Sequence, residues 1–225
     1  MASFKHKPSE PSNENANKAF TILNNARKVA ESFLKRFNDS RRMTPKKGVT
    51  TDDEQDLLRA MFAFASAGLD AMVKQLIRDA LPIVIQNSEG SHLQFAKFVE
   101  GKLRREDKPY AFVAKIVTDK NPRQQLVEEW VYELNSNSMQ SFEQICTAAA
   151  AFDIPSAEIA HGDSIKTIKN AFLMRNQIVH EMDVDLDSKN RKRRQRSKQS
   201  MIDATDVLFD VSKRFLEKVD SKLKD

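Results

Sequence analysis

The residue types best suited to chemistry lie together in the segment Arg175-Asn176-Gln177-Ile178-Val179-His180. Arginine presents a planar fork of donors that matches phosphate oxygens, and histidine can move protons near neutral pH. Asparagine can orient the imidazole or a bound group through hydrogen bonds. These three side chains therefore suit a reaction at a phosphate group, and we take Arg175, Asn176 and His180 as the candidate catalytic residues.

The spacing of apolar residues predicts that this segment belongs to a helix over residues 165–183. At about 100° per residue, Arg175 falls on the apolar arc of that helix. The apolar members of the arc are Ile165, Ile168, Phe172, Val179 and Met182. A buried arginine is costly unless its charge is matched, which indicates an interface or a functional site. The alternative interpretation of this spacing is that His180 is an ordinary surface histidine and that an arginine lies five residues before it by chance.

Asn176 and His180 are four residues apart and should share one helix face, with Asp183 beside them. Arg175, Asn176, His180 and Asp183 together span about 140° of the helix surface, so their polar groups can converge. Glu181 and Asp183 are candidate supporting residues that would orient His180 or a partner's arginine. Surface acids at a helix end are the alternative interpretation of both.

The composition predicts an all-α protein that holds this helix in place. Glycine (5) and proline (7) are scarce among 225 residues, 40% of residues are hydrophobic, and no alternating strand pattern occurs. We expect a helical bundle with helical insertions in a single domain over residues 17–225. Residues 1–16 are polar, and we expect a disordered N-terminal tail.

Several local signals predict where helices begin and end. Thr51 and Glu54 form a capping-box pattern before a helix that is apolar on most faces, which favours a central helix ended or kinked by Pro82. Asp163 or Ser164 should cap the helix that carries the candidate site. Three aromatic residues are expected in the core: Phe62, Phe64 and Trp130.

Positive charge is concentrated in one stretch before the last helix. The net charge is +5, yet residues 189–198 carry seven positive charges and no acid, which leaves −2 for the rest. Such a patch attracts polyanions, and its lack of aromatic residues favours contacts with RNA phosphates. The candidate RNA-binding residues are Lys189, Arg191, Lys192, Arg193, Arg194, Arg196 and Lys198. A solvated linker over 186–200 or a nuclear-localisation-like sequence remains an alternative.

Other features of the chain narrow the classes of function. Cys146 is the single cysteine, so neither an intrachain disulfide nor a cysteine metal cluster is expected. No glycine-rich phosphate loop occurs, which argues against ATP- or GTP-driven chemistry. No apolar run approaches the roughly 20 residues of a membrane span. We expect a cytoplasmic protein without cofactor, metal or membrane partner.

Residues 172–183 resemble the signature of the HEPN superfamily (higher eukaryotes and prokaryotes nucleotide-binding domains). In that signature an arginine, often followed by a polar residue such as asparagine, precedes a histidine by four to six intervening residues. Residues 68–77, 141–146 and 201–203 resemble one branch, the RiboL-PSP-type HEPN proteins. The resemblance extends over roughly residues 20–220.

This resemblance implies a bundle of four to five core helices that forms a homodimer with a composite active site. Catalytic members are metal-independent endoribonucleases. By this resemblance Arg175 stabilises the scissile phosphate, His180 acts as general base or acid, and Asn176 holds the geometry. The ribose 2′-OH then attacks the phosphorus and leaves a 2′,3′-cyclic phosphate and a 5′-OH, so DNA should not be cut.

The resemblance also implies a biological setting, a toxin or antiviral-defence effector with RNA as its partner and an antitoxin or regulatory protein that restrains it. A non-catalytic HEPN module that binds RNA or a partner protein is the alternative function. A helical adaptor unrelated to nucleic acid is a third, and it predicts negligible affinity for RNA even at low salt.

Overall fold

A computed structural model describes residues 4–43, 50–105, 109–160 and 162–224. Within these ranges every regular element is a helix, apart from one isolated antiparallel bridge between Val184 and Arg193. The predicted all-α class is therefore confirmed. The helices, in chain order, are α1 (Asn17–Met43), α2 (Asp52–Asp79), α3 (Leu81–Asn87), α4 (Glu89–Arg105), α5 (Pro109–Val117), α6 (Pro122–Ser136), α7 (Phe142–Ala151), α8 (Ser156–Ile159), α9 (Asp163–His180) and α10 (Lys198–Lys222).

Helix α2 is the central helix, as its apolar sequence predicts. It packs most extensively against α1 and α10, and it also contacts α3, α6 and α9. Gly68 lies against α1 so closely that an added Cβ would stand 2.3 Å from the Cβ of Ala26. By length and composition alone α2 could also cross a membrane, but a buried core helix passes the same test.

The boundaries of α2 follow the local sequence signals. The Thr51 hydroxyl accepts a hydrogen bond from the Glu54 amide at 3.2 Å, and the Glu54 carboxylate accepts one from the Thr51 amide at 2.9 Å. The predicted capping box is thus confirmed. Helix α2 ends at Asp79, and Pro82 lies in the first turn of α3, where its missing N–H costs nothing.

The expectation of a disordered tail over residues 1–16 is wrong for residues 4–16, while residues 1–3 lie outside the described part. Phe4 is buried, and its ring centroid lies 5.1 Å from that of Phe209 on α10. Asp206 accepts hydrogen bonds from the backbone of Lys5 at 2.9 Å. Carboxylates of α10 thus satisfy backbone donors of a polar segment that supplies little apolar surface itself.

Asp220 anchors the other end of this N-terminal segment. Its carboxylate accepts hydrogen bonds from the Ser12 amide at 3.1 Å, the Ser12 hydroxyl at 2.9 Å and the Asn13 amide at 2.9 Å. Burial raises the pKa of Asp220, but these hydrogen bonds together outweigh that effect, and the pKa lies below its usual value.

The expected aromatic core is confirmed for two of its three members. Phe62 is fully buried, and Trp130 is buried against Phe95. Phe64 is not a core residue, because 48% of it is exposed. It lies on the outer face of α2, with its ring centroid 5.5 Å from that of Phe33 on α1.

Candidate functional site

Helix α9 carries the three candidate catalytic residues. Its first residue is Asp163, so Asp163 and Ser164 lie within the first turn rather than at the cap, and the preceding Gly162 has a φ of +56°. Glycine tolerates this left-handed backbone, which explains why the helix starts there. The helix ends at His180, three residues before the predicted end, because Met182 and Asp183 have φ values of 52° and 58°.

The buried side of α9 agrees only partly with the predicted arc. Ile168 and Phe172 are buried as expected, and Arg175 is buried among them. Val179 and Met182 were expected on this buried arc, but 41% and 66% of them are exposed. Val179 lies in the last turn and Met182 lies beyond the helix end, where neighbouring helices no longer cover the arc.

The polar groups of Arg175, Asn176 and His180 converge, as the helix projection predicts. The Nη1 of Arg175 donates to Asn176 Oδ1 at 3.1 Å and lies 2.7 Å from His180 Nε2. A guanidinium can only donate, so Nε2 must accept and the imidazole proton lies on Nδ1. Asn176 and His180 are exposed, whereas only 8% of Arg175 is exposed. The cluster is therefore anchored inside the protein and opens to solvent.

In the part of the chain that the structure describes, no carboxylate contacts the guanidinium of Arg175. Within the described ranges Arg175 forms no ion pair, and its partners in the cluster are the amide of Asn176 and the imidazole of His180. Burial lowers the pKa of Arg175, and the negative charge of the nearby Asp70 partly opposes this. Asp70 itself accepts a hydrogen bond from the Met139 amide at 2.7 Å and pairs with Lys74 at 3.3 Å. A buried cation without a contacting counterion is costly, and an anion bound there would offset the cost.

Asp183 does not contact His180, one of the two groups that it was predicted to orient. It is fully buried, and its carboxylate pairs with Arg59 Nε at 2.8 Å and with Arg196 Nη2 at 2.6 Å. Its amide donates to the Gln177 carbonyl at 2.7 Å, which fixes the chain just after α9. The positive φ of Asp183 turns its side chain away from the helix face that the projection assumed.

Arg59 was missed by sequence reasoning, although it is a buried arginine within an apolar helix, as Arg175 is. Its Nη2 donates to the Arg194 carbonyl at 2.8 Å, in addition to the pair with Asp183. The same test that singled out Arg175, a cation on an apolar helix, would have found it. Its role is to join α2 to the chain segment that follows α9.

Glu181 also contacts no candidate catalytic side chain among the described residues. It is half-buried and pairs with Arg194 at 3.4 Å. Neither candidate supporting residue is therefore brought to His180.

The basic stretch divides into two groups. Four of its seven cations are engaged within the chain: Arg193 with Asp56, Arg194 with Glu181, Arg196 with Asp183, and Lys198 with Asn38. The hydrogen bond from Arg193 holds the pKa of Asp56 below its usual value. Three cations are exposed and form no ion pair within the described ranges: Lys189, Arg191 and Lys192. The four engaged cations contact other parts of the protein, and the sequence alone could not distinguish them from the three exposed cations.

No group of three or more histidine, cysteine, aspartate or glutamate side chains that could hold a metal ion occurs in residues 4–43, 50–105, 109–160 and 162–224. Comparison with models of protein families found no match, and searches of curated proteins and of solved structures found none either. The geometry of the residues is therefore the evidence for function.

Proposed function

We propose that this chain is a metal-independent endoribonuclease of the HEPN type. The observation that carries the proposal is the buried guanidinium of Arg175, which contacts no carboxylate among the described residues and lies 2.7 Å from an exposed imidazole. Such a guanidinium suits a phosphate oxygen, and the imidazole suits proton transfer beside it.

The proposed reaction begins when a phosphate oxygen of RNA binds the Arg175 fork and replaces the imidazole as acceptor. This exchange frees the lone pair of His180 Nε2, which accepts the proton of the ribose 2′-OH. The 2′-oxygen then bonds to phosphorus while the bond from phosphorus to the 5′-oxygen breaks. The leaving oxygen takes a proton from the His180 of a second copy or from water, giving a 2′,3′-cyclic phosphate and a 5′-OH.

Two physical effects supply the acceleration. Loss of one donor that stabilises developing negative charge costs about 2.7–4 kcal/mol in a shielded site, which sets the scale for Arg175. General acid–base help from His180 adds roughly 10²–10⁴-fold. Asn176 holds the guanidinium through its 3.1 Å hydrogen bond and thus keeps the fork in place.

A homodimer fits the surface beside these residues. Leu173 lies on the same face of α9 as Asn176 and His180, and 57% of it is exposed. Val179 and Met182 are exposed close by. Apolar side chains exposed around a polar cluster are typical of an interface, and a second copy would add a second set of catalytic groups.

The decisive experiment measures cleavage of labelled RNA in EDTA by the wild type, Arg175→Ala and His180→Ala. Two matched controls remove the same residue types elsewhere: Arg42→Ala on α1 and His92→Ala on α4, both exposed. We expect the controls to cleave like the wild type and the site variants to lose nearly all activity. Equal activity in all five proteins would remove this cluster from the mechanism.

Product analysis tests the route. Mass spectrometry should find 2′,3′-cyclic phosphate ends, and a DNA strand of the same sequence should stay intact because it lacks the 2′-OH. Linear 3′-phosphates formed from the outset, or cleavage of DNA, would contradict attack by the 2′-oxygen.

The proposed biological role is a toxin or antiviral-defence effector that acts in the cytoplasm and is held in check by an antitoxin or regulatory protein. Induced expression in bacteria should arrest growth for the wild type and not for His180→Ala. Arrest by both proteins would separate toxicity from RNA cleavage.

A second candidate, a non-catalytic module that binds RNA or a partner protein, is favoured by one observation. Lys189, Arg191 and Lys192 are exposed cations outside the Arg175 cluster, so they could bind phosphates without cleavage. RNA binding by the wild type with no cleavage under any condition would support this function over the first.

A further inference from the structure

A groove of about 980 Å³ lies between α3 and α6, away from the Arg175 cluster. Its apolar lining includes Ile85, Val127 and Val131, and the Tyr132 ring stands at its edge, with 76% of that residue exposed. This volume lies at the upper end of the range for sites that bind small organic molecules. The groove combines an apolar surface with an aromatic side chain that is free to stack.

The charged groups of the groove favour an anion. Arg78, Lys120 and Arg123 line it, and none of them forms an ion pair within the described ranges. Of the described residues that line the groove, only Glu128 is acidic, and its carboxylate accepts a hydrogen bond from Gln124 at 2.9 Å. Three cations facing a single carboxylate leave a net positive potential at the groove.

Asn135, which also lines the groove, has a buried Oδ1 with no hydrogen-bond partner among the described residues. A buried acceptor without a donor is costly, and a ligand N–H would satisfy it. The amino groups of adenine, cytosine and guanine are such donors. A ring that stacks on Tyr132, an N–H for Asn135 and a phosphate for the cations together describe a nucleotide.

Contacts through Met139 and Asp70 link the groove to the candidate active site. Asn135 precedes Met139 by four residues, and the Met139 amide donates to Asp70 at 2.7 Å. Asp70 is close enough for its charge to act on Arg175. Arg78 follows Asp70 by eight residues on α2, which is about 12 Å along the helix axis. At roughly 3.4 Å of rise for each nucleotide, a nucleic-acid strand spans this distance with about three or four nucleotides.

We propose that the groove between α3 and α6 is a nucleotide-binding subsite that holds a base and phosphate of the RNA strand several nucleotides from the scissile bond. That the bound nucleotide belongs to an RNA substrate rests on the proposed function. Binding of a nucleotide in the groove does not. Tyr132 stacks on the base, Asn135 accepts its amino group, and Lys120 and Arg123 contact phosphate.

The test compares Tyr132→Ala with Tyr110→Ala, a matched removal of a tyrosine that is 88% exposed on α5 and does not line the groove. Adenosine, cytidine, guanosine and uridine monophosphates and inorganic phosphate are titrated by calorimetry. Short RNA is titrated against each variant in a His180→Ala background, which prevents cleavage. Circular dichroism melting verifies that each variant is folded.

We expect Tyr132→Ala to weaken nucleotide and RNA binding by about 5- to 150-fold relative to Tyr110→Ala. Arg123→Ala should lower the slope of log affinity against log salt by about one for RNA, and Arg42→Ala should leave it unchanged. The amino-bearing nucleotides should bind more tightly than uridine monophosphate, and Asn135→Leu, which removes the acceptor at similar side-chain size, should reduce that preference.

Three results would overturn the proposal. They are equal RNA binding by the Tyr132 and Tyr110 variants, inorganic phosphate binding as tightly as the nucleotides, and free nucleotides binding without any effect of Tyr132→Ala on RNA. The last result would assign the groove to a free nucleotide. Failure of the nuclease proposal can be distinguished from failure of this one. If the groove binds nucleotides but the protein cleaves no RNA, the nucleotide site is supported and the nuclease proposal is refuted.

Discussion

Replacement of Asp183 by asparagine should destabilise the protein more than any other single change of charge that keeps side-chain shape. The carboxylate is 0% exposed, and it pairs with Arg59, whose side chain is 5% exposed, and with Arg196, at 15%. Removing one partner of a buried ion pair costs about 3–5 kcal/mol, because the remaining charge stays buried without a counterion. For a chain of this size that corresponds to a fall in Tm of roughly 6–20 °C.

Urea unfolding and thermal melting followed by circular dichroism measure this loss. The matched control is Asp187→Asn, which makes the same change of charge at an exposed position four residues further along. Arg196→Gln, alone and combined with Asp183→Asn, completes a double-mutant cycle that isolates the pair. A loss below about 1 kcal/mol for Asp183→Asn, or a loss equal to that of Asp187→Asn, would refute the reasoning.

Three further predictions follow from contacts described above. The depressed pKa of Asp220 stabilises the fold above its unfolded pKa near 3.9, so in urea melts the wild type's stability advantage over Asp220→Asn should begin to fall near that pH and be lost as pH drops through the lower folded pKa. Gly68→Ala should cost about 1–3 kcal/mol, because its Cβ would stand 2.3 Å from that of Ala26, whereas Gly101→Ala, with no atom within 4 Å, should gain about 0.5–1 kcal/mol. For the proposed nuclease, Arg175→Ala should lower kcat/KM on RNA about 10²- to 10³-fold, and Arg175→Lys should recover part of it by restoring charge without the fork.

The elements that depend on local signals were predictable. The capping box of Thr51 and Glu54 and the break at Pro82 require only residues a few positions apart, so the limits of α2 follow from sequence. The apolar period of α10 likewise predicts a helix that packs on the core. The convergence of Arg175 and His180 was predictable because the two residues lie about one and a half turns apart on the same helix.

Features that depend on distant partners were not predictable from one sequence. Asp183 meets Arg59 across 124 residues, and no local pattern signals that pair. The polar N-terminal segment lacks a hydrophobic period, and its order depends on carboxylates about 200 residues away. Phe64 has the same side-chain type as Phe62, and only the packing of other helices around α2 decides which of them is covered.

The basic stretch shows the same limit for function. Composition gives one cluster of cations, but their acidic partners come from two separate parts of the chain: Asp56 on α2, and Glu181 and Asp183 just after α9. Which cations stay exposed and could bind a polyanion, namely Lys189, Arg191 and Lys192, is therefore decided by the fold.

The docking of Phe4 beside Phe209 sets an order of events during synthesis. Helices α1 and α2 are neighbours along the chain and can pack together soon after they leave the ribosome. The backbone at Lys5 must wait for Asp206, which is 201 residues further on. At about 5–20 residues per second this delay lasts roughly 10–40 s. The segment around Lys5 is therefore made well before the surface of α10 that it binds, and a nascent chain leaves Phe4 uncovered until α10 has been made.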